Sequence, residues 1–510
     1  MAENGENAVR VLPWDEENRL LVARVRPPGW VNPKPAARYN LVVIGAGTAG
    51  LVAAAGAAGL GAKVALVERR LMGGDCLNTG CVPSKALIEA ARAAAAVRRA
   101  AGFGILVPEG VQVDFGAVMA RLRRLRAAIA ANDSAERFRS LGVDVFFGEA
   151  RFIDPHTVEA AGERLRFKKA LIATGSRPAI PPIPGIETVD FLTHETLFSL
   201  TEVPRRLAVI GAGPIGCEMA QAFARFGAEV RLIEAAHGIL PREEGDASAL
   251  VLEALRQDGV EVLCCGRELS LSPAEDGRVR LAVTSHGVRR EERVDRLLLA
   301  AGRTANVAGL GLEAAGVAFT EKGVTVNDRL QTTHPDIYAA GDVCSAFQFT
   351  HAADFMARLV LRNALFFGRA GVGSLTIPWC TYTDPEIAHV GLTPAQAAEK
   401  GIALETHTQP LTEVDRAVLA GETSGMVRIH VRKGSDRIAG ATIVAPHAGD
   451  LIAEIALAMT HGLGLSRIAA TIHPYPTFAE AIRRAGDAWN RGRLTPKVKR
   501  WFSRWMALRR

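Results

Sequence analysis

Three segments of this chain carry a clear hydrophobic pattern. YNLVVIGAGTAGLVAAAGAAGLGAKVALVE (39–68) opens with a continuous apolar run of strand length and breaks at glycines. It continues with apolar residues at helical spacing and restarts an apolar run that closes on Glu68. LAVIGAGPIGCEMAQAFARFGAEVRLIE (207–234) repeats that order and closes on Glu234. Farther on, GMVRIHV and RIAGATIVA read as strands and LIAEIALAMTHGLGL as a helix. The first glycine and the closing acid are 23 positions apart in both copies, Gly45 to Glu68 and Gly211 to Glu234, so one strand–helix–strand module is used twice. QTTHPDIYAAGDV (331–343) reads as a strand returning to the first unit. The predicted fold class is therefore α/β, two Rossmann-like dinucleotide-binding domains followed by a C-terminal α+β domain. The expected bounds are an N-terminal arm lying on the surface or partly disordered (1–38), a first domain (39–195 and 322–371), a second (196–321), the α+β domain (372–486) and a tail (487–510).

Each repeat has the makings of a phosphate cradle. Gly45 and Gly211 permit a tight turn, Gly47 and Gly213 let backbone approach a pyrophosphate, and Gly50 and Gly216 let the helix pack closely on the strand. The helix N-terminus adds unpaired N–H groups and a partial positive charge. Glu68 and Glu234 stand where a carboxylate accepts hydrogen bonds from a ribose. Two such sites imply two dinucleotides.

The formal charge of +7 changes meaning once it is located. The tail KVKRWFSRWMALRR carries Lys497, Lys499, Arg500, Arg504, Arg509 and Arg510, and without them the body is close to neutral. Nucleic acid is therefore not an expected partner. In the tail, Val498, Trp501, Phe502, Trp505 and Leu508 recur at helical spacing, a pattern suited to lying on an anionic membrane surface or to packing on the body of a dimer. No run of apolar residues is long enough to span a bilayer, and the polar, acidic N-terminus has no secretory pattern. The expected location is the cytoplasm, with peripheral contact at the inner face of the membrane left to the tail.

Seven cysteines at irregular spacing do not describe a disulfide framework, in keeping with a reducing compartment. Two of them, Cys76 and Cys81 in GGDCLNTGCVPSK, stand out. A staple closing so short a loop restricts the unfolded chain by only roughly 2 kcal/mol. A metal site wants further thiolates or imidazoles nearby, and none follow. A redox-active pair needs both sulfurs within bonding reach and a positive charge at hand. Five positions of ideal helix turn the side chains about 140° apart. A bonded pair thus requires broken helix, for which Gly73, Gly74, Gly80 and Pro83 give freedom, while Lys85 supplies the charge. The adjacent Cys264 and Cys265 fall on a predicted strand, where successive side chains point to opposite faces, and read as structural. Cys217, Cys344 and Cys380 read as small buried hydrophobes, and no metal ligand set is expected.

The Cys-x4-Cys-x-Pro-Ser-Lys run, the two glycine fingerprints, ATGSRP (173–178) and YAAGDV (338–343) follow one another in an order and spacing that resemble the flavin-dependent pyridine nucleotide-disulfide oxidoreductases. That family includes dihydrolipoamide dehydrogenase, glutathione reductase and mercuric reductase, and the resemblance covers about residues 39–486. It implies FAD at Gly45, Gly47, Gly50, Glu68 and Asp342, with Gly74, Lys85, Thr174 and Gly175 beside it. It implies a nicotinamide dinucleotide at Gly211, Gly213, Gly216, Glu234 and Gly302, and a homodimer built on the last domain. It further implies a redox-active Cys76–Cys81 disulfide, with Cys81 contacting the flavin, Cys76 exchanging with substrate, and Lys85 pairing with Glu218. Read without the family, Glu218 is an early-helix carboxylate favoured by the helix dipole. Glu234 suits a free ribose hydroxyl and repels a 2′-phosphate, so NADH is expected over NADPH; Arg231 and Arg242 are the cations that could reach back.

The family's dithiol and disulfide reductases place a histidine from the partner subunit in a His-Pro-Thr-x-x-Glu context. In TIHPYPTFAEAI (471–482), aligned on Pro476, Thr477 and Glu480, that position holds Tyr475. A phenol of pKa about 10 is protonated near neutrality where an imidazole of about 6.5 is mostly free base. Losing such a base costs about 10²- to 10⁴-fold, so efficient lipoamide or glutathione turnover is not expected unless His473 substitutes. A cis Tyr475–Pro476 bond suits this turn. Tyrosine here resembles mercuric reductase, as does VAPHAGDLIAEIALAM, although that enzyme collects metal on cysteines near its C-terminus and this chain ends SRWMALRR. The expected activity is electron transfer from NADH through FAD and the dithiol to an unidentified small-molecule acceptor. The alternatives are mercuric-reductase-like metal reduction, dihydrolipoamide oxidation, and a low-turnover redox sensor acting through a partner or the membrane.

Overall fold

A computed structural model describes residues 9–510 of the chain. The first apolar run becomes the strand Tyr39–Ile44, central in a parallel sheet with Val64–Glu68 and Val143–Phe147 on one side and Glu163–Ile172 on the other. Ile337–Ala339 adds in parallel beyond Glu163–Ile172, so the chain leaves this sheet and returns to it. Every residue of Val64–Glu68 is buried, which is why the run does not alternate. The helix Thr48–Gly59 covers one face through Ala49, Ala53, Ala54 and Ala57, and these small side chains let the helix Thr350–Leu365 approach closely.

The second repeat builds a four-stranded parallel sheet in the order Val260–Leu263, Glu229–Ile233, Arg206–Ile210, Arg296–Leu299, with an antiparallel three-stranded meander beside it (Arg267–Pro273, Val279–Ser285, Val288–Val294). The last region is a five-stranded antiparallel sheet, Pro378–Thr381, Glu386–Gly391, Ile438–Ala445, Met426–Arg432 and Leu404–Pro410, packed by the helices Ala448–Thr460 and Glu480–Gly492. Polar ties join this sheet to the second repeat. Glu244 accepts from Thr442 Oγ1 at 2.6 Å and from Arg428 Nη1 at 2.9 Å, and the buried Arg225 reaches Asp384 at 2.8 Å.

The N-terminal segment departs from the expected surface arm. Asp15 caps a helix, Glu16–Val25, whose Leu21 and Val25 are fully buried in the core of the first sheet. Asn18 is buried as well and its Oδ1 accepts from Arg126 Nη2 at 2.6 Å. Polar residues at 15, 16 and 17 masked an amphipathic turn too short to show a period. The tail is a helix too, Pro496–Leu508 with Thr495 as its cap, and no residue of it is buried against the protomer. Among the described residues, no helix is long and apolar enough to cross a membrane.

Candidate active site

Both glycine fingerprints lie where a strand's C-terminal end turns into a helix. A side chain at Gly45 would strike the Ala173 carbonyl, and one at Gly50 the Gly45 carbonyl; Gly211 and Gly216 meet the same obstruction from Ala300 and from Gly211. Gly47 and Gly213, by contrast, face open space apart from the Gly74 Cα, 3.7 Å from Gly47's missing Cβ. The closing acids do the same work in each copy. Glu68 Oε2 accepts from Ala46 N at 2.8 Å and Oε1 from Arg70 N at 2.7 Å, while Glu234 Oε2 accepts from Ala212 N at 2.8 Å and Oε1 from Ala236 N at 3.0 Å. Burial raises the Glu68 carboxyl above the ordinary range despite these two N–H groups.

One continuous cavity of about 1780 Å³ runs between the two fingerprints. A drug-sized ligand fills roughly 300–1,000 Å³, so there is room for two large ligands end to end. Gly45, Gly47, Glu68, Gly74, Thr174 and Gly175 line one end, Gly211, Gly213, Glu234 and Gly302 the other, and Cys76, Cys81, Lys85, Glu218 and Asp342 the stretch between. Gly50 and Gly216 stand behind the walls as packing positions. A half-buried acid at Asp342, backbone open at Gly47 and two helix N-termini fit a dinucleotide with its phosphates at the turns.

The cysteines sit on either side of a break. Cys76 belongs to the short helix Gly74–Asn78, and Cys81 is the first residue of Cys81–Arg99, both thiols being unbridged. Cys81 Sγ faces the cavity and lies 3.3 Å from Thr350 Oγ1. A hydrogen bond from Cys76, with Thr350 and the charge of Lys85, outweighs burial and lowers the Cys81 thiol to about 6. The same bond, with burial, pushes Cys76 up. Within the pair a thiolate is thus favoured on Cys81 over Cys76.

Lys85, four residues after Cys81, lies on the same helix face. Because Cys81–Arg99 packs on Pro214–Arg225, Lys85 Nζ meets Glu218 Oε2 at 2.9 Å. Glu218 Oε1 accepts from Tyr382 N at 2.9 Å, and the ammonium lies 4.5 Å from the centre of the Tyr382 ring. Burial alone would lower Lys85, but Glu218 and Cys81 outweigh it and raise the ammonium's pKa.

Thr350 and Tyr382 were not singled out from the sequence, nor was a further group of four residues. Asp75 Oδ2 is bonded to Arg303 Nη2, and Arg303 Nε donates to Ser176 Oγ at 2.7 Å, whose hydroxyl donates to Asp342 Oδ2 at 2.6 Å. His194 Nε2 stands 3.0 Å from Arg303 and 3.3 Å from Asp75. Burial favours an uncharged Asp75, but His194 and Arg303 outweigh it and hold its carboxyl low, whereas burial wins at Asp342 and raises it. The sequence signal was Arg303 directly after Gly302 in AAGRT, an arginine following a buried strand.

Tyr475, His473 and Glu480 are not brought to this cavity within the protomer. Tyr475 is 69% exposed, follows the turn with a cis bond to Pro476, and donates to Asp415 Oδ2 at 2.8 Å, which raises its pKa further. His473 Nε2 is held by Glu454 Oε1 at 2.9 Å, and Glu480 is paired with Arg483 and Arg484. Arg231 is also spoken for, with Glu261 and Glu292 each at 2.9 Å, so of the two arginines near Glu234 only Arg242 lines the cavity. Cys217 is buried, and Cys344 and Cys380 are half-buried.

The alternation expected at Cys264 and Cys265 does not hold. The strand ends at Leu263, and Cys265 takes φ +55°, a left-handed turn that brings its sulfur to within 4.8 Å of the Cys264 sulfur and of a His237 ring nitrogen.

Comparison with known proteins agrees with this geometry. Residues 39–357 match the pyridine nucleotide-disulphide oxidoreductase family, and 377–486 its dimerisation domain. A mercuric reductase of Staphylococcus aureus is 36% identical over 452 residues, covering 88% of this chain and 82% of that protein. A dihydrolipoyl dehydrogenase of Chlamydia muridarum is 36% identical over 448 residues, 87% of this chain and 95% of the other. Among solved structures, the HOCl-induced flavoprotein disulfide reductase RclA of Escherichia coli superposes with a TM-score of 0.77 at 29% identity, over 88% of this chain and 99% of that one. LpdA of Mycobacterium tuberculosis does so with a TM-score of 0.79 at 28% identity, over 89% and 100%. The dimerisation domain supports a homodimer, and the family's flavin is FAD. The chain thus belongs to the flavin-dependent pyridine nucleotide-disulphide oxidoreductases.

Proposed function

We propose that the protein is an NADH-dependent oxidoreductase that delivers electrons through the Cys76–Cys81 couple to a small thiophilic acceptor, an ion of a soft metal being favoured over a disulfide. The observation that carries this reading is the single cavity joining both fingerprints across Cys81, with thiolate character held on that sulfur. When bound, FAD supplies a two-electron relay between nicotinamide and disulfide. The first fingerprint, Gly74, Thr174, Gly175 and Asp342 would hold it, and the second fingerprint with Glu234 and Gly302 would hold the nicotinamide dinucleotide.

Two electrons and one proton, together a hydride's worth, open the Cys76–Cys81 bond and leave a thiolate at Cys81 and a thiol at Cys76. Lys85 balances the charge on Cys81, and Glu218 keeps Lys85 in place. Thr350 stabilises the same sulfur through its hydroxyl. Exchange with a disulfide substrate needs a base beside Cys76, and Tyr475, protonated and bonded to Asp415, is a poor one. A metal ion needs none. Its ligation releases the Cys76 proton, and re-forming the disulfide returns two electrons to one ion, or one each to two. The similarity to mercuric reductases and to RclA, solved also as a Cu(II) complex, supports this choice.

Glu234 with Arg231 turned away supports NADH over NADPH. Anaerobic titration with NADH, followed by Hg(II), Cu(II), lipoamide, small disulfides, quinones and oxygen in turn, tests the whole reading. Turnover with a metal ion that is lost in Cys76→Ser is expected. Turnover with lipoamide at least as fast would overturn the choice of acceptor, and retention of all activity in Cys76→Ser would overturn the path.

The tail belongs with peripheral membrane contact. Its Trp501, Phe502 and Trp505 are 61, 42 and 46% exposed beside five cations between Lys497 and Arg509, a pairing of apolar and basic groups complementary to anionic lipid. Salt-sensitive binding to vesicles containing phosphatidylserine, abolished by deleting residues 496–510, is expected; binding unchanged by the deletion would dismiss the tail as the anchor.

A further inference from the structure

A second thiol cluster lies away from the electron path. It gathers side chains from three segments: His237 after the strand Glu229–Ile233, Cys264 and Cys265 after Val260–Leu263, and His286 in the hairpin between Val279–Ser285 and Val288–Val294. Cys265 Sγ stands 3.4 Å from His237 Nδ1 and Cys264 Sγ 3.2 Å from His286 Nε2. The imidazole centroids are 6.2 Å apart with their planes at 88°, so the rings are not stacked and each presents a nitrogen to one sulfur. The backbone is tied down on either side. Cys265 N donates to Ala236 O at 2.9 Å, Gly266 N to Glu234 O at 2.8 Å, and Ser285 Oγ to Cys264 O at 2.7 Å.

Two sulfurs and two imidazole nitrogens are the donor types of a tetrahedral site; those of His237, Cys264 and Cys265 lie within 4.8 Å of one another, and His286 joins them through Cys264. With metal–sulfur bonds of about 2.3 Å and metal–nitrogen bonds of 2.0–2.1 Å, each of the four sulfur–nitrogen edges of such a tetrahedron is about 3.6 Å, and the Cys265–His237 and Cys264–His286 separations are close to two of them. The mixture of soft sulfur and imidazole selects zinc-like ions over magnesium or calcium. The arrangement costs a non-glycine residue in the left-handed region at Cys265, the conformation that turns both sulfurs to one side. Cys264 is buried while His237 and His286 are exposed, so the cluster is open to solvent on its imidazole side.

We propose that His237, Cys264, Cys265 and His286 form a Cys2His2 site for one thiophilic d10 cation, of which Zn(II) is the representative. Binding deprotonates the two thiols and releases two protons to solvent, with no change of oxidation state. The ion would tie the turn after Glu234 to the neighbouring strand end and to the meander, behind the second fingerprint.

The test uses the full-length, FAD-loaded protein carrying Cys76→Ser/Cys81→Ser, so that its outcome is independent of the electron path. Zinc affinity is measured by competition with a chromophoric chelator, and cobalt(II) substitution reports the ligand field. Expected are one zinc per chain, undisplaced by excess magnesium, and a red-region cobalt spectrum of tetrahedral thiolate type. Cys265→Ser and the surface change His237→Ala should each weaken zinc at least tenfold while leaving flavin absorbance and elution volume unchanged. No retained zinc in the parent with Cys264 and Cys265 reduced, or equal retention in parent and both variants, overturns the proposal.

Discussion

Replacing Lys85 by methionine keeps the apolar stem and removes only the ammonium. Glu218 is 4% exposed, and its carboxylate would retain the Tyr382 N–H at 2.9 Å but lose the counter-charge at 2.9 Å. Orphaning one member of a buried pair costs about 3–5 kcal/mol. Glu218→Gln is milder. Lys85 is 34% exposed and can turn to water, and glutamine still accepts from Tyr382, so the loss should be about 1 kcal/mol. In Lys85→Met/Glu218→Gln the orphan disappears, and stability should return to within about 1–2 kcal/mol of the parent, a coupling of roughly 2 kcal/mol or more. Urea unfolding at one protein concentration and saturating flavin reads this directly. With a slope of roughly 3 kcal/mol per molar, Lys85→Met alone lowers the midpoint by about 1 M or more. Iodoacetamide alkylation of reduced Cys81 should also shift to higher pH in Lys85→Met, since a charge favouring the thiolate is gone. Equal losses in the two single variants, or strict additivity in the double, would refute the argument that Lys85 and Glu218 are coupled as a pair.

Three further outcomes follow from the same structure. Glu244 is opposed by burial, but His430, Thr442 and Arg428 bring it from 4.5 to about 2, so its contribution is complete above pH 4.5 and vanishes as pH falls through about 2; Glu244→Gln should flatten the acid unfolding profile in that window, and an unchanged profile would contradict the assignment. The ratio of kcat/KM for NADH over NADPH should be at least about tenfold, and Glu234→Gln should narrow it chiefly by improving NADPH, because a charge and not a shape is removed; equal use of both by the parent would count against the reading. Tyr475→His should raise lipoamide-dependent turnover by about 10²-fold or more if the missing base is what limits it, and a variant no faster than the parent would place the limitation elsewhere.

Legibility followed the range of the physics. The fingerprints could be read because much of their constraint is local: Gly45 takes a left-handed φ of +100°, and a side chain at Gly50 would strike the Gly45 carbonyl within the same turn. The cysteine pair was conspicuous for the same reason, with Gly80 between its members and Gly73, Gly74 and Pro83 flanking them. The partnership of Lys85 with Glu218 spans 133 positions and was available only through the family. The Asp75–Arg303 contact spans 228 positions with no motif to announce it, and it went unnoticed. At Cys264 and Cys265 a local rule misled: alternation was extended two residues past the end of a strand, and a single left-handed residue reversed its consequence. Tyr475 stands at the position of a base only by alignment with the family, and its bond to Asp415, 60 positions away, was beyond any pattern in the chain.

Glu68 and Glu234 each spend both oxygens on main-chain N–H groups, one inside the glycine turn 22 positions earlier and one two positions later. Both turns are therefore braced by the protein itself and are rigid before anything enters them. A chain stripped of its flavin should keep the shape of both ends, so reloading is docking into a finished mould and not a folding event. Because the two braces are alike, they do not sort one adenine-bearing guest from the other, and that discrimination falls to the residues that differ between the two ends of the cavity.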